Sequence, residues 1–121
     1  MKILVTDDSK MARKMVIKTL QEATNKELEI FEAQNGLEAF ELYQQHLPEL
    51  SFLDLTMPVM DGFEALKKIK IFDKNAKVVI ISADIQKHSM DRVISLGALN
   101  FIKKPVDLEK MKQILKKLEE L

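Results

Sequence analysis

The chain has no cysteine and no tryptophan, and only three glycines and three prolines in 121 residues. Without cysteine, disulfides and thiolate metal sites are excluded. Net charge is missing too: 19 Lys and Arg balance 19 Asp and Glu, so nothing in the charge points to nucleic acid or an anionic membrane as partner. No apolar run approaches the roughly 18 residues of a membrane span. At the start, Ile3-Leu4-Val5 meets two aspartates at once, far too short a run for a signal peptide. No linker, repeat or low-complexity segment breaks the sequence. What is present is 46% hydrophobic and 31% charged residues, the profile of a globular chain with a substantial core. The expectation is one domain over residues 1–121, cytoplasmic and without a membrane or nucleic-acid partner.

Hydrophobic periodicity gives an alternating pattern. Ile3, Leu4 and Val5 form an apolar run at 2–6, read as a buried strand. Ser9 is placed to cap a helix over 10–24, where Met11, Ala12, Met15, Val16, Thr19, Leu20 and Ala23 recur at helical spacing. Leu28 and Ile30 alternate with charged residues in a second strand, broken by Asn35-Gly36. Leu37, Ala39, Phe40, Tyr43 and Leu47 mark a helix stopped by Pro48. Leu50 to Leu53 is the third strand, and Asp61 caps a helix with Phe63, Leu66 and Ile69 inward and Lys67, Lys68 and Lys70 outward. The β-branched run Val78 to Ile81 is a fully buried strand. A weaker helix over 86–95 closes at Gly97. Leu99 to Ile102 is the fifth strand, and Asp107 opens a last helix carrying Leu108, Met111, Ile114, Leu115, Leu118 and Leu121 on one face.

Short apolar strands alternating with helices mean an α/β domain with a parallel sheet and right-handed crossovers. Ligands of such open sheets lie outside the carboxyl ends of the strands. There the sequence supplies Asp7-Asp8, Asp54, Ser82 and Lys104, after strands one, three, four and five. Two like charges about 4 Å apart repel by about 4 kcal/mol at an effective dielectric of 20. Three carboxylates therefore need more counter-charge than one lysine provides, and an oxygen-loving divalent cation such as Mg²⁺ supplies it. With Lys104 on the other side, a phosphoryl group on Asp54 would have its oxygens neutralised, and the Ser82 hydroxyl could donate to a remaining one.

The bland readings differ in weight. Asp61 is most simply a helix cap, and Ser82 or Lys104 alone would be a turn hydroxyl and a solvated ammonium. One cap does not require two adjacent acids and a third elsewhere. The outward lysines read as solvated faces, the methionines mostly as core filler with Met57 and Met60 at the site's rim, and His46 and His88 as surface residues without metal partners.

Four stretches carry a resemblance over the entire chain: Val5-Thr6-Asp7-Asp8-Ser9, Leu53-Asp54-Leu55-Thr56-Met57-Pro58-Val59-Met60-Asp61-Gly62, Ile81-Ser82-Ala83, and Gly97-Ala98 with Phe101-Ile102-Lys103-Lys104-Pro105. Together they resemble the response-regulator receiver domains of two-component signalling. The resemblance implies a flavodoxin-like (βα)5 three-layer sandwich with a five-stranded parallel sheet in the order 2-1-3-4-5. It makes Asp54 the phospho-acceptor, Asp8 the direct metal ligand with Asp7 helping, and Thr56 the donor of a backbone carbonyl to Mg²⁺. Lys104 would contact the phosphoryl group, Ser82 would swing toward it, and Phe101 would turn inward behind it. Thr56 and Asp84 flank the site and would tune the phosphoryl lifetime, in a direction the sequence does not give. Lys104-Pro105 falls where the family has a cis peptide.

Departures are few. Serine stands at 82 where threonine is more usual, phenylalanine at 101 where tyrosine is also common, and glutamate at 49 for a frequent aspartate. The stretch Gly97-Ala98-Leu99-Asn100 and the last helix lack the acidic pair and arginines of receivers that dimerise to bind DNA. The implied protein is a stand-alone monomer of the chemotaxis type, without an output domain. Its partners are a sensor histidine kinase or histidine phosphotransfer protein, and a downstream target on the face of helix four, strand five and helix five, around Lys87, Met90 and Asp91. It catalyses only its own phosphorylation and dephosphorylation.

A phosphorelay intermediate that passes the group onward is the close alternative. A phosphatase acting through an aspartyl-phosphate would carry Asp-x-Asp rather than Asp7-Asp8, and would have a cap domain. Flavin phosphate at the first loop would be repelled by the same two acids.

Overall fold

The computed structural model describes every residue except Asp84 and Ile85, so the role expected of Asp84 lies outside the described residues. Elements alternate as β1 (Lys2–Thr6), α1 (Lys10–Ala23), β2 (Glu29–Ala33), α2 (Gly36–His46), β3 (Leu50–Leu53), α3 (Gly62–Phe72), β4 (Val78–Ser82), α4 (Lys87–Ser95), β5 (Asn100–Lys103) and α5 (Leu108–Glu119). The strands form one sheet in the order β2-β1-β3-β4-β5, and each neighbouring pair is parallel.

The strands are apolar in runs because both faces of the sheet are covered. Alternation along each strand deals its side chains into two cores. Leu4, Leu53, Val78 and Ile80 pack with Ala39 and Tyr43 of α2, Ala65, Leu66 and Ile69 of α3, and Val93 of α4. Ile3, Val5, Phe52, Val79 and Ile81 pack with Val16 and Leu20 of α1 and Met111, Ile114 and Leu115 of α5. This is the three-layer sandwich expected.

Ser9, Asp61 and Asp107 cap their helices as expected, and Asn35, read only as a strand break, caps α2; each accepts a backbone N–H from the first turn of its helix. Gly97, at φ 98°, ends α4 in the left-handed region.

Several faces differ from the reading by periodicity. Met11 and Met15 are 68% and 51% exposed, while Arg13 on the same helix is buried. Leu37, Leu47 and Leu121 are exposed; Leu47 adopts φ 48° and closes α2 by donating its N–H to the Tyr43 carbonyl. Lys70 is not a solvated lysine, since its ammonium donates to the carbonyls of Lys74 and Ala76. His46 is half-buried, its ring stacked 3.9 Å from that of Phe31. Apolar spacing identified the helices, but burial at a helix end depends on neighbours that one helix's sequence does not name.

Candidate functional site

Sheet order reverses between β1 and β3, where the chain first goes out to β2 and then crosses back. A crevice outside the carboxyl ends of these strands is where ligands of open α/β sheets bind. The residues that follow the two strands are Asp7 and Asp54, tied together by Asp54 N–H donating to the Thr6 carbonyl at 3.1 Å. Both are buried, whereas Asp8 is exposed.

One carboxylate oxygen from each of Asp7, Asp8 and Asp54 lies within 4.8 Å of the others. Asp7 is oriented by two bonds: Oδ1 accepts the Ser9 N–H at 2.9 Å and Oδ2 accepts Lys104 Nζ at 2.6 Å. Asp54 Oδ1 accepts the N–H of Leu55 at 3.0 Å, and its Oδ2 lies 3.5 Å from Lys104 Nζ. Lys104 arrives from the end of β5 through its N–H to the Ser82 carbonyl at 2.9 Å, and the Lys104-Pro105 bond is cis.

The electrostatics of the cluster are unbalanced. Burial pushes the Asp54 carboxyl above its ordinary value; the Lys104 charge pulls it down and the Asp7 charge pushes it up again. Burial by itself would lower the Lys104 ammonium, but its hydrogen bond to Asp7 and the charges of Asp54 and Asp7 leave it raised. An isolated Lys104–Asp54 pair would move Asp54 the other way. Burial outweighs that pull, and the ammonium, shared with Asp7 and closer to it, cannot offset the rest. Three hard oxygen donors within 4.8 Å of one another, with a net negative charge, fit a small divalent cation such as Mg²⁺.

The remaining expected residues divide. Ser82 ends β4, is buried, and pairs in register with Lys103, so it stands beside the approach of Lys104. Thr56 is exposed, two residues past Asp54. Phe101 is outside the acidic cluster: it pairs with Ile80 and packs, partly buried, on the core beneath α2, α3 and α4. Met57 is buried and Met60 half-buried in the loop after Asp54. That loop is held by two glycines. Gly36 donates its N–H to the Met60 carbonyl, and Gly62 donates to the Leu55 carbonyl, both at 2.9 Å.

The residue missed in the sequence is Arg13. Its Nη1 donates to the Asp7 carbonyl at 2.7 Å and its Nε to Glu32 Oε1 at 2.9 Å. The available signal was its spacing: Arg13, Val16 and Leu20 occupy one helical face and are the buried residues of α1.

Comparison with known proteins agrees with this geometry. Residues 3–116 match the family model described as the response regulator receiver domain. The chain is 38% identical to the chemotaxis protein CheY of Bacillus subtilis over 116 residues, 96% of this chain and 95% of that protein. It is 37% identical to sporulation initiation phosphotransferase F of the same organism, over 96% of this chain and 91% of that one. A chain in the CheX-CheY-BeF3-Mg²⁺ complex from Borrelia burgdorferi superimposes with a TM-score of 0.87 at 32% identity, covering 98% of this chain and 88% of its own. The chain belongs to the response regulator receiver domains, the phosphorylation-switched modules of two-component signalling.

Proposed function

We propose that residues 1–121 act as one receiver domain in which Asp54 accepts a phosphoryl group from a histidine kinase or histidine phosphotransfer protein. The observation that supports this most is the single ammonium of Lys104 reaching both Asp7 and Asp54 at the crevice mouth. An Asp54 carboxylate oxygen forms the new O–P bond as the donor's N–P bond breaks, and the imidazole leaves with the electron pair. Lys104 is close enough to exchange Asp7 for an oxygen of the incoming group. Ser82, at the end of β4, offers its hydroxyl to another. Asp7, Asp8, Asp54 and the Thr56 backbone carbonyl would hold Mg²⁺, which supplies charge neutralisation for the phosphoryl oxygens when bound. The self-directed reaction and its reversal by water are the only chemistry assigned to the chain.

The donor would rest on apolar surface beside Lys104. A cavity of about 240 Å³ lined by Ala12, Met15, Val16, Ile81, Pro105 and Val106 opens next to Lys104, with Met11 exposed on the same helix.

Output is proposed through α4, β5 and α5. Phosphorylation selects a conformation already in the ensemble, with Phe101 moving inward from its partly buried position. Met90 and Ile94 are exposed on α4 beside the Lys87–Asp91 ion pair of 2.8 Å. Similarity to proteins named for chemotaxis supports a chemotaxis role, and the target proposed is a flagellar motor switch, bound by a cytoplasmic monomer. No described helix is long and apolar enough to cross a membrane.

The test is labelling with acetyl phosphate and Mg²⁺. One phosphoryl group labile to base and to hydroxylamine should appear, and Asp54→Asn should abolish it. Retained labelling in that variant would overturn the assignment. Binding of a motor-switch peptide should rise with beryllofluoride, whereas onward transfer to a histidine phosphotransfer protein would mark a relay instead.

A further inference from the structure

Arg13 is a charged residue at a core-facing position. Its side chain is only 9% exposed, a costly placement for a guanidinium unless each donor direction is used. The fork is split between two elements: Nε donates to Glu32 Oε1 on β2, and Nη1 to the carbonyl of Asp7. Asp7 also donates its own N–H to the Ala33 carbonyl at 3.1 Å. Both backbone groups of Asp7 are therefore tied down, one by the edge strand and one by α1. Ser9, on the far side, is held by its N–H to Asp7 Oδ1 and by its hydroxyl accepting from Ala12 at 3.2 Å.

The residue between these anchors is Asp8. Its carboxylate is exposed, yet it falls within 4.8 Å of those of Asp7 and Asp54. We propose that Arg13 is a positioning residue of the acidic site: by holding the Asp7 carbonyl, it fixes the turn that brings Asp7 and Asp8 to bear on the same point as Asp54. It thereby sets the affinity of the site for a divalent cation. This rests on the metal-binding reading given above.

The sign of the effect separates this role from two simpler ones. As a bare charge, Arg13 repels a cation, so its removal would tighten Mg²⁺ binding. As a purely structural ion pair, its removal would lower the melting temperature and leave the affinity of the folded protein unchanged. As a positioning residue, its removal weakens binding although a positive charge has gone. Groups that orient metal ligands typically change affinity by about 10–100-fold when lost.

The experiment is calorimetric titration of Mg²⁺ alone into the full chain, well below the melting temperature of each variant. Arg13→Gln should raise the dissociation constant by about tenfold, and Glu32→Gln, which loosens the guanidinium from β2, by about threefold. Arg13→Lys keeps the charge but not the fork, and should remain weaker than wild type. An Arg13→Gln affinity equal to or tighter than wild type overturns the proposal. If that variant does not fold, Arg13→Lys, which leaves the local charge unchanged, decides alone, and an unchanged constant overturns it. Asp8→Asn is the control: if wild type and Asp8→Asn bind alike, the metal reading has failed and the positioning role falls with it. That outcome is distinct from a metal that binds normally and ignores Arg13.

Discussion

The ammonium of Lys104 lies 2.6 Å from Asp7 Oδ2 although 97 residues separate them in sequence. This contact occupies the lysine in the absence of a phosphoryl group. It also serves as the protein's own counter-charge to the buried acids. Lys104→Met should destabilise the metal-free protein at pH 7 by about 1–3 kcal/mol, the scale for leaving a buried acceptor unpaired. Because the ammonium is raised in the folded state, its contribution is fully present below its ordinary value of 10.5 and is lost as pH rises through the raised one. Denaturant melts of both proteins should therefore differ at pH 7 and converge toward strongly alkaline pH. Saturating Mg²⁺ should recover much of the loss at pH 7, since a ligand at 100 times its dissociation constant adds about 2.7 kcal/mol.

Asp54 titrates in the opposite sense from a stabilising carboxylate. Burial raises it, with Asp7 adding to the push against Lys104, so the folded state disfavours its ionised form. The resulting penalty is absent below the ordinary value of 3.8 and grows as pH rises through the folded value. Asp54→Asn should thus stabilise the metal-free protein at pH 7 by on the order of 1 kcal/mol, the usual gain where a functional group is removed from a strained site. The gain should vanish near pH 3. Melting temperatures of the two proteins at both pH values check this, and a clear loss at pH 7 would make Asp54 a structural residue.

The cluster was legible because the topology is. Reading Ile3-Leu4-Val5 and Leu50 to Leu53 as buried parallel strands puts Asp7 and Asp54 at one edge of the sheet; the strand order implied by the resemblance makes them neighbours, as the register of Thr6 with Leu53 shows. Lys104 could be assigned in the same way from the end of β5. Arg13 went unread although its spacing with Val16 and Leu20 puts it on the inner face of α1, because helical periodicity sorts apolar from polar residues and a buried charge looks like an exposed one until Glu32 and the Asp7 carbonyl are placed beside it. The stacking of His46 on Phe31 and the Lys70 contacts were hidden for the same reason. Each depends on a partner in another element rather than on spacing within its own.

Val59 lies in the loop after Asp54 at φ 68°, a region a β-branched residue rarely enters. The turn there is tight, with Met60 N–H donating to the Pro58 carbonyl at 2.7 Å. The side chain is 79% exposed and makes little packing to lose. Left-handed backbone costs a non-glycine residue about 1–2 kcal/mol, and glycine gives back about 0.4–1 kcal/mol through the unfolded chain. Val59→Gly should therefore gain about 0.5–1 kcal/mol in urea denaturation, and Val59→Ile should gain nothing. A loss in the glycine variant would mean that the loop draws no strain from this residue.

Gly62 begins α3 directly against the backbone of Asp54, the proposed phospho-acceptor. A Cβ built there would stand 2.2 Å from the Asp54 carbonyl oxygen and 2.7 Å from Leu55 Cα. Neither neighbour is the end of a flexible side chain, so the backbone of β3 or of α3 must move. Overpacking of this kind typically costs about 1–3 kcal/mol, and Gly62→Ala should reach the upper part of that range by chemical denaturation. The displaced atoms carry the Asp54 carboxylate, which lies 3.5 Å from Lys104 Nζ and within 4.8 Å of the other two acids. Labelling by acetyl phosphate should therefore fall by more than the folded fraction does. Gly97→Ala provides the contrast, because its added Cβ would meet the Lys70 side chain at 2.8 Å and it is strained by its φ of 98°, far from the acids. That variant should lose stability and keep its labelling rate per folded molecule. Equal labelling losses in the two variants would mean that the close approach of Gly62 to Asp54 matters only for folding.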